Sequence, residues 1–213
     1  MNADFVARMD SDDISVSQRI ETQINFMLRN PTTDIVGSNI LIFNDAMRSL
    51  TSSKIISHPT IDSLIKFNML FHCCLAHPTV VFRMSTLAEK LRYNTQDPDV
   101  RAFEDYELWM RLIQSQNAPK FANIGVALLL YRKHGANTSQ GAAIENEIPM
   151  KVNILTNYYL RNEMIEAVQH NPQIVGEFIK VTGRPARSDT FSNLKQKREL
   201  SKIFDQVSAR YKE

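Results

Sequence analysis

Three polar clusters have the composition and spacing to do chemistry. The first is Asp10-Ser11-Asp12-Asp13, which directly follows the short stretch Phe5 to Met9. Carboxylates two apart on a turn can face one hard cation, and Mg²⁺ or Mn²⁺ prefers such oxygen donors. An EF-hand does not fit, because a loop counted from Asp10 puts Ile14 and Ser15 where an oxygen ligand and a glycine are needed. The plain alternative is an acidic turn that starts the next helix, where Asp and Ser are favoured. The second cluster is Glu104-Asp105, opening the segment EDYELWMRL. A carboxylate at a helix N-terminus is held as the anion by the helix dipole. It can then act as a general base if a hydroxyl comes within reach. Simple charge complementation of the helix is the competing account. Trp109 is the single tryptophan; its spacing with Leu108, Leu112 and Ile113 suits a core position, and a sugar-stacking surface is the alternative. The third cluster is the polar loop Tyr131-Arg132-Lys133-His134-Gly135 after an apolar strand, where a histidine is well placed to be a ligand.

These groups need elements to position them. Phe5 to Met9 reads as a short strand running into the acidic turn. The spacing predicts a helix after the acidic turn, with Ser15 as cap, Gln18 closing a capping box, and Ile20, Ile24, Met27 and Leu28 on one face. Asn30-Pro31 ends it. Asp34 to Phe43 is β-rich, Thr60 to Phe71 helical, Thr79 to Phe82 a strand, 104–115 a helix, and Val126 to Tyr131 a buried strand without alternation. Strands and helices alternate as far as residue 131, so the body is α/β. From residue 144 to 213 only helical periodicity remains. The expected division is therefore a domain over 1–143 and a helical C-terminal extension over 144–213.

Composition narrows the function classes. The 213 residues are 43% hydrophobic and 23% charged, enough for a real core. The formal net charge is only +2. Residues 184–213 hold eight Lys or Arg against four Asp or Glu, hence +4, leaving −2 for residues 1–183. In that tail, acids alternate with bases and Leu194, Leu200, Ile203 and Val207 keep helical spacing. This reads as an amphipathic helix rather than a nucleic-acid arm, and nucleic acid is not an expected partner. Cys73 and Cys74 are adjacent and cannot easily bridge each other, which points to a reducing compartment. His72, Cys73, Cys74 and His77 match no zinc template. The apolar run Leu64 to Phe82 contains Lys66, His72, His77 and Pro78, a poor membrane span, and the N-terminus carries no signal-like apolar region. The expectation is a cytoplasmic protein without a transmembrane segment, peripheral to the membrane at most. Walker, HExxH and GxSxG patterns are absent.

Taken in order, several segments resemble one family. They are Ala7-Arg8-Met9-Asp10-Ser11-Asp12-Asp13-Ile14-Ser15, then Arg19, Gln23 and Asn30-Pro31, then Asp34-Ile35-Val36-Gly37-Ser38, His77-Pro78-Thr79-Val80, Glu104-Asp105-Tyr106-Glu107-Leu108-Trp109 and Tyr131-Arg132-Lys133-His134. Over roughly residues 3–140 the chain resembles the later half of family 2 glycosyltransferases of the GT-A fold, a Rossmann-like α/β architecture.

The resemblance implies transfer of a sugar, with inversion, from a nucleotide-diphosphate sugar to a hydroxyl of a glycan or lipid-linked acceptor, as in cell-surface polysaccharide biosynthesis. It implies a Mn²⁺ or Mg²⁺ cofactor ligated by Asp12 and His134. It places Arg8, Asp10, Asp12 and Asp13 at the nucleotide sugar and makes Asp105 the catalytic base. Glu104, Trp109 and His77 fall on the acceptor side or support its loop. Only nine residues precede Asp10, whereas the family's base-binding βαβαβ half occupies ~80–100 residues before this motif. The expectation is a partial GT-A domain whose first strand, of a kind normally set inside a parallel sheet, forms an open edge. A chain of that kind is inactive alone, or is a binding module completed by a partner chain or by self-association.

Overall fold

The computed structural model describes residues 3–43, 54–69, 72–94, 100 and 103–133. Among these residues, six strands form one sheet: β1 (Phe5–Ala7), β2 (Ile14–Ser15), β3 (Ile35–Phe43), β4 (Lys54–Ile56), β5 (Val81–Arg83) and β6 (Phe121–Arg132). Four helices accompany them: α1 (Arg19–Arg29), α2 (Asp62–Asn68), α3 (Met84–Leu87) and α4 (Glu104–Ile113). The strand order is β1-β5-β3-β6-β2, with β4 also paired to β3. The architecture is α/β, as the alternation of elements predicts. The expected C-terminal extension and His134 lie outside the described residues. Among the described residues, no helix is long and apolar enough to cross a membrane.

The sheet's two faces follow from period-two alternation. Ile35, Phe82 and Phe121 face a core built with Ile65 and Met69 around α2 and with Tyr106, Trp109 and Leu112 from α4. Their neighbours Val36, Val81 and Ala122 face the other way and pack with Met27 of α1. Helices therefore cover both faces. The consecutive strands 35–36, 81–82 and 121–122 read as continuous apolar pairs for that reason.

Several sequence expectations are corrected. β1 does not lie in a parallel sheet; it runs antiparallel to β5 at the sheet's edge, and β3–β6 is the parallel pair. Ser15 does not cap α1. It belongs to β2, paired to Leu129, and its hydroxyl donates to the Val16 carbonyl; the helix begins four residues later, after a turn. The buried stripe of α1 is Arg19, Gln23 and Met27, whereas Ile20 and Leu28 are exposed. The strand expected over Thr79 to Phe82 starts only at Val81, because Thr79 closes a 3₁₀ turn over His77–Thr79 in which its hydroxyl donates to Ala76 O at 2.7 Å. β6 starts at Phe121, earlier than the apolar run suggests, and is not uniformly buried. Its pairing with β3 jumps from Ile124 to Ala127, and Val126 in the resulting bulge is exposed. Position 37 leaves little room for a side chain, since a Cβ there would press on the Asn123 side-chain oxygen and on the side chains of Leu75 and Thr79.

Candidate active site

The site forms where the end of β1, the 3₁₀ turn and the start of α4 meet. Arg8 follows β1, and its N–H bonds to Val80 O at 2.9 Å. Its guanidinium reaches Asp10, with Nη2 2.6 Å from Oδ1. The buried Arg19 donates to Arg8 O at 2.6 Å and to Gln23 Oε1 at 3.0 Å. Gln23, fully buried, donates in turn to Thr79 O at 2.7 Å and Val36 O at 3.2 Å. Two polar residues one turn apart on α1 thus lock the entry to the acidic turn onto the His77–Thr79 turn. A buried polar pair survives only when its donors and acceptors are matched, and these are.

Asp13 ties the acidic turn to the far end of the sheet. Its Oδ1 accepts the Arg132 N–H at 2.9 Å, and β2 pairs with Leu129 and Leu130 just before it. Arg132 therefore lies beside the acidic turn. Burial pushes the Asp13 carboxyl up; the Arg132 bond opposes this, and the charges of Asp10 and Asp12 add to it. Its second oxygen is buried without a hydrogen-bond partner among the described residues.

At the other side, Asp105 occupies the first turn of α4. Its Oδ1 accepts the Tyr106 N–H at 2.7 Å. The side chain keeps 27% of its surface open. Desolvation pushes its carboxyl up to about 6, against the Tyr106 hydrogen bond; Glu104 adds to the rise and Arg8 tempers it. Arg8 thus bridges the acidic turn and the helix start electrostatically. His77 stands beside the carboxylate, with Nδ1 4.0 Å from Asp105 Oδ2, and its Nε2 lies 2.8 Å from the Tyr93 hydroxyl. Burial, then Arg8, lowers the imidazole to about 3, so it is neutral at physiological pH. The edge-on rings of Tyr93 and Trp109 flank it, 5.6 and 5.8 Å away between centroids.

The sequence-predicted residues Arg8, Asp10, His77, Glu104 and Asp105 therefore gather at one place, with Asp12 and Asp13 on the same turn as Asp10. Trp109 does not present a stacking surface. It is fully buried, stacked on Phe82 at 6.0 Å and edge-on to Phe121 at 6.4 Å, and it meets the site edge-on at His77. Among the described residues, no three His, Cys, Asp or Glu side chains form a group able to hold a metal, and His134 lies outside them. Sequence reasoning missed the structural part of Arg19 and Gln23, whose signal was a polar i, i+4 pair inside an otherwise amphipathic helix. It also missed Tyr93, which sits in an irregular segment with no motif to mark it.

Comparison with known proteins adds kinship to this geometry. No protein-family profile matches the chain. The O-antigen biosynthesis glycosyltransferase WbnJ of Escherichia coli is 31% identical over 138 residues, covering 65% of this chain and 51% of that protein. The bifunctional glycosyltransferase pgtA of Dictyostelium discoideum is 31% identical over 164 residues, covering 63% of this chain and 21% of that one. The amylovoran biosynthesis glycosyltransferase AmsE of Erwinia amylovora is 29% identical over 108 residues, covering 51% and 38%. The chain is related to glycosyltransferases. It spans about half the length, or less, of these relatives. The solved structure of S. aureus TarS 1-349 matches 97% of this chain and 56% of that one at 14% identity, with a TM-score of 0.45, too low to add to the sequence kinship.

Proposed function

We propose that the chain carries the acceptor and diphosphate side of a family 2, GT-A-type glycosyltransferase. In the reaction, a sugar passes with inversion from a nucleotide-diphosphate sugar to an acceptor hydroxyl. The observation that carries this reading is the Asp105 carboxylate: half-buried, anchored through one oxygen, and joined through Arg8 to the acidic turn. A base poised near neutral pH with one oxygen uncommitted to the helix suits removal of a hydroxyl proton. The acceptor proton passes to Asp105 as the acceptor oxygen bonds to the anomeric carbon. The bond from that carbon to the diphosphate oxygen breaks, and its electron pair leaves with the diphosphate. Arg8 and the acidic turn stand on the diphosphate side, with Asp10 held by Arg8.

Only part of a divalent-cation donor set lies among the described residues. Asp12 offers hard oxygens, and the unpartnered buried oxygen of Asp13 is the kind of atom a nearby cation would satisfy. Asp12 and His134 would hold Mn²⁺ or Mg²⁺, and such an ion supplies charge that stabilises a leaving diphosphate. The names of WbnJ and AmsE support a glycan acceptor, as in O-antigen or amylovoran assembly. A second reading, a module completed by another strand, draws on the edge position of β1 and on Val6, which is 40% exposed. Concentration-dependent association that vanishes on introducing charge at Val6 would favour it.

Calorimetric titration of the purified chain with UDP and GDP, with and without Mn²⁺, tests the main reading. Mn²⁺-dependent binding that disappears in Asp12→Ala is the expected result. Binding that is unchanged in Asp12→Ala, or indifferent to Mn²⁺, would remove the metal–diphosphate assignment.

A further inference from the structure

Tyr93 belongs to no motif, yet three observations set its hydroxyl in the site. The hydroxyl lies 2.8 Å from His77 Nε2. The other ring nitrogen of His77 faces Asp105 Oδ2 at 4.0 Å. The segment that delivers Tyr93 is fastened to the helix that carries Asp105. Glu107, fully buried in α4, holds Arg111 through two contacts, Nε–Oε1 at 2.9 Å and Nη2–Oε2 at 3.3 Å. Arg111 then donates to Lys90 O at 3.3 Å and, in a short bond, to Arg92 O. A buried carboxylate is costly unless paired, and here the pair places the residue directly before Tyr93.

Two tautomers of the neutral imidazole satisfy the Tyr93 bond. With hydrogen on Nε2, the ring donates to the tyrosine oxygen and turns a bare Nδ1 lone pair toward the Asp105 carboxylate. With hydrogen on Nδ1, the tyrosine hydroxyl donates to Nε2 and the ring offers N–H to the carboxylate. The second arrangement avoids lone-pair repulsion against an anion. The charged groups facing this pair are Arg8 and Asp10 from the acidic turn and Glu104 and Asp105 from α4. Burial and the surrounding acids raise the Tyr93 hydroxyl, which keeps it a donor.

We propose that Tyr93 is a positioning residue: by donating to His77 Nε2 it fixes the Nδ1–H tautomer, and that N–H orients Asp105 for proton abstraction. At 4.0 Å the N–H is not bonded directly to the carboxylate. Such contacts commonly tighten when substrate closes the site. The inference rests on the reading of Asp105 as base.

The test has two arms. Nitrogen NMR of labelled protein reports the His77 tautomer without any substrate. The expected result is a bare Nε2 in the parent and a mixture of tautomers in Tyr93→Phe; an Nε2–H tautomer in the parent, or no change in the variant, overturns the inference. In transfer assays, Tyr93→Phe should lower kcat by at least ~10-fold with KM little changed. A change confined to KM would overturn it in favour of an acceptor contact by the exposed ring. The tautomer is read independently of activity. Transfer left unchanged by Asp105→Asn would count against the reading of Asp105 as base, while an active enzyme with the Nε2–H tautomer counts against this inference alone.

Discussion

Replacing Asp105 with asparagine should stabilise the fold, and the size of the gain depends on pH in a defined way. The Asp105 carboxyl is raised from 3.8 to about 6 by desolvation. In the unfolded chain it titrates near the ordinary aspartate value. Between those two points the native state binds more protons than the unfolded state, so stability falls as pH rises through the window and levels off above it. At ~1.36 kcal/mol per pH unit, the ionised group costs the native state up to ~3 kcal/mol. Because the side chain is still 27% open to solvent, screening reduces that figure, and about 1–3 kcal/mol is the expected range. Asparagine keeps an oxygen for the Tyr106 N–H and carries no charge. Urea unfolding at about pH 8 should show Asp105→Asn more stable than the parent by that amount, with the gain shrinking toward zero at about pH 4. A variant no more stable at the higher pH, or a gain independent of pH, would refute the claim that the fold strains against this charge.

Gln23→Leu keeps the volume but strands Thr79 O and Arg19 Nε in the interior; a loss of ~2–4 kcal/mol by denaturant unfolding is expected. Gly37→Ala must push against the Asn123 side chain, which is fixed by its bonds to Pro59 O and Cys74 O. A cost of ~1–3 kcal/mol should appear in thermal unfolding. His77, lowered to about 3, should show no ring titration between about pH 5 and 8 by NMR. Its sign is that of a base buried neutral: its contribution is lost as pH falls below ~6.5, where the unfolded histidine takes up a proton first. Arg111→Met leaves Glu107 buried without its cation, and should cost ~3–5 kcal/mol of stability at neutral pH.

The candidate site was more legible in the sequence than its scaffold. Acidic residues are common at helix starts, so Asp10 to Asp13 and Glu104-Asp105 stood out only through their order and spacing with the other segments. α4 was readable because Leu108, Trp109 and Leu112 keep helical spacing, although Tyr106, Glu107 and Met110 are buried as well and the helix is covered on more than that one side. α1 was misread at its start and on its face. Amphipathic reasoning assigns burial to Ile20 and Leu28, but the stripe is set by Arg19 and Gln23, whose value comes from carbonyls at Arg8, Val36 and Thr79 distant in the chain. No local rule contains those partners. The same holds for Tyr93, whose position depends on Glu107 and Arg111 of another element, and for the bulge in β6, which arises from its register with β3.

The central claim, that Asp105 takes the acceptor proton in sugar transfer, meets its most direct test in one comparison. Nucleoside diphosphate release from a panel of nucleotide sugars, in the presence of glycan acceptors and Mn²⁺, is measured for the parent and for Asp105→Asn. Since the variant is expected to be at least as stable as the parent, lost activity cannot come from unfolding. The account predicts a fall in transfer rate of about 10²–10⁴-fold. Transfer by Asp105→Asn within a few-fold of an active parent would contradict it.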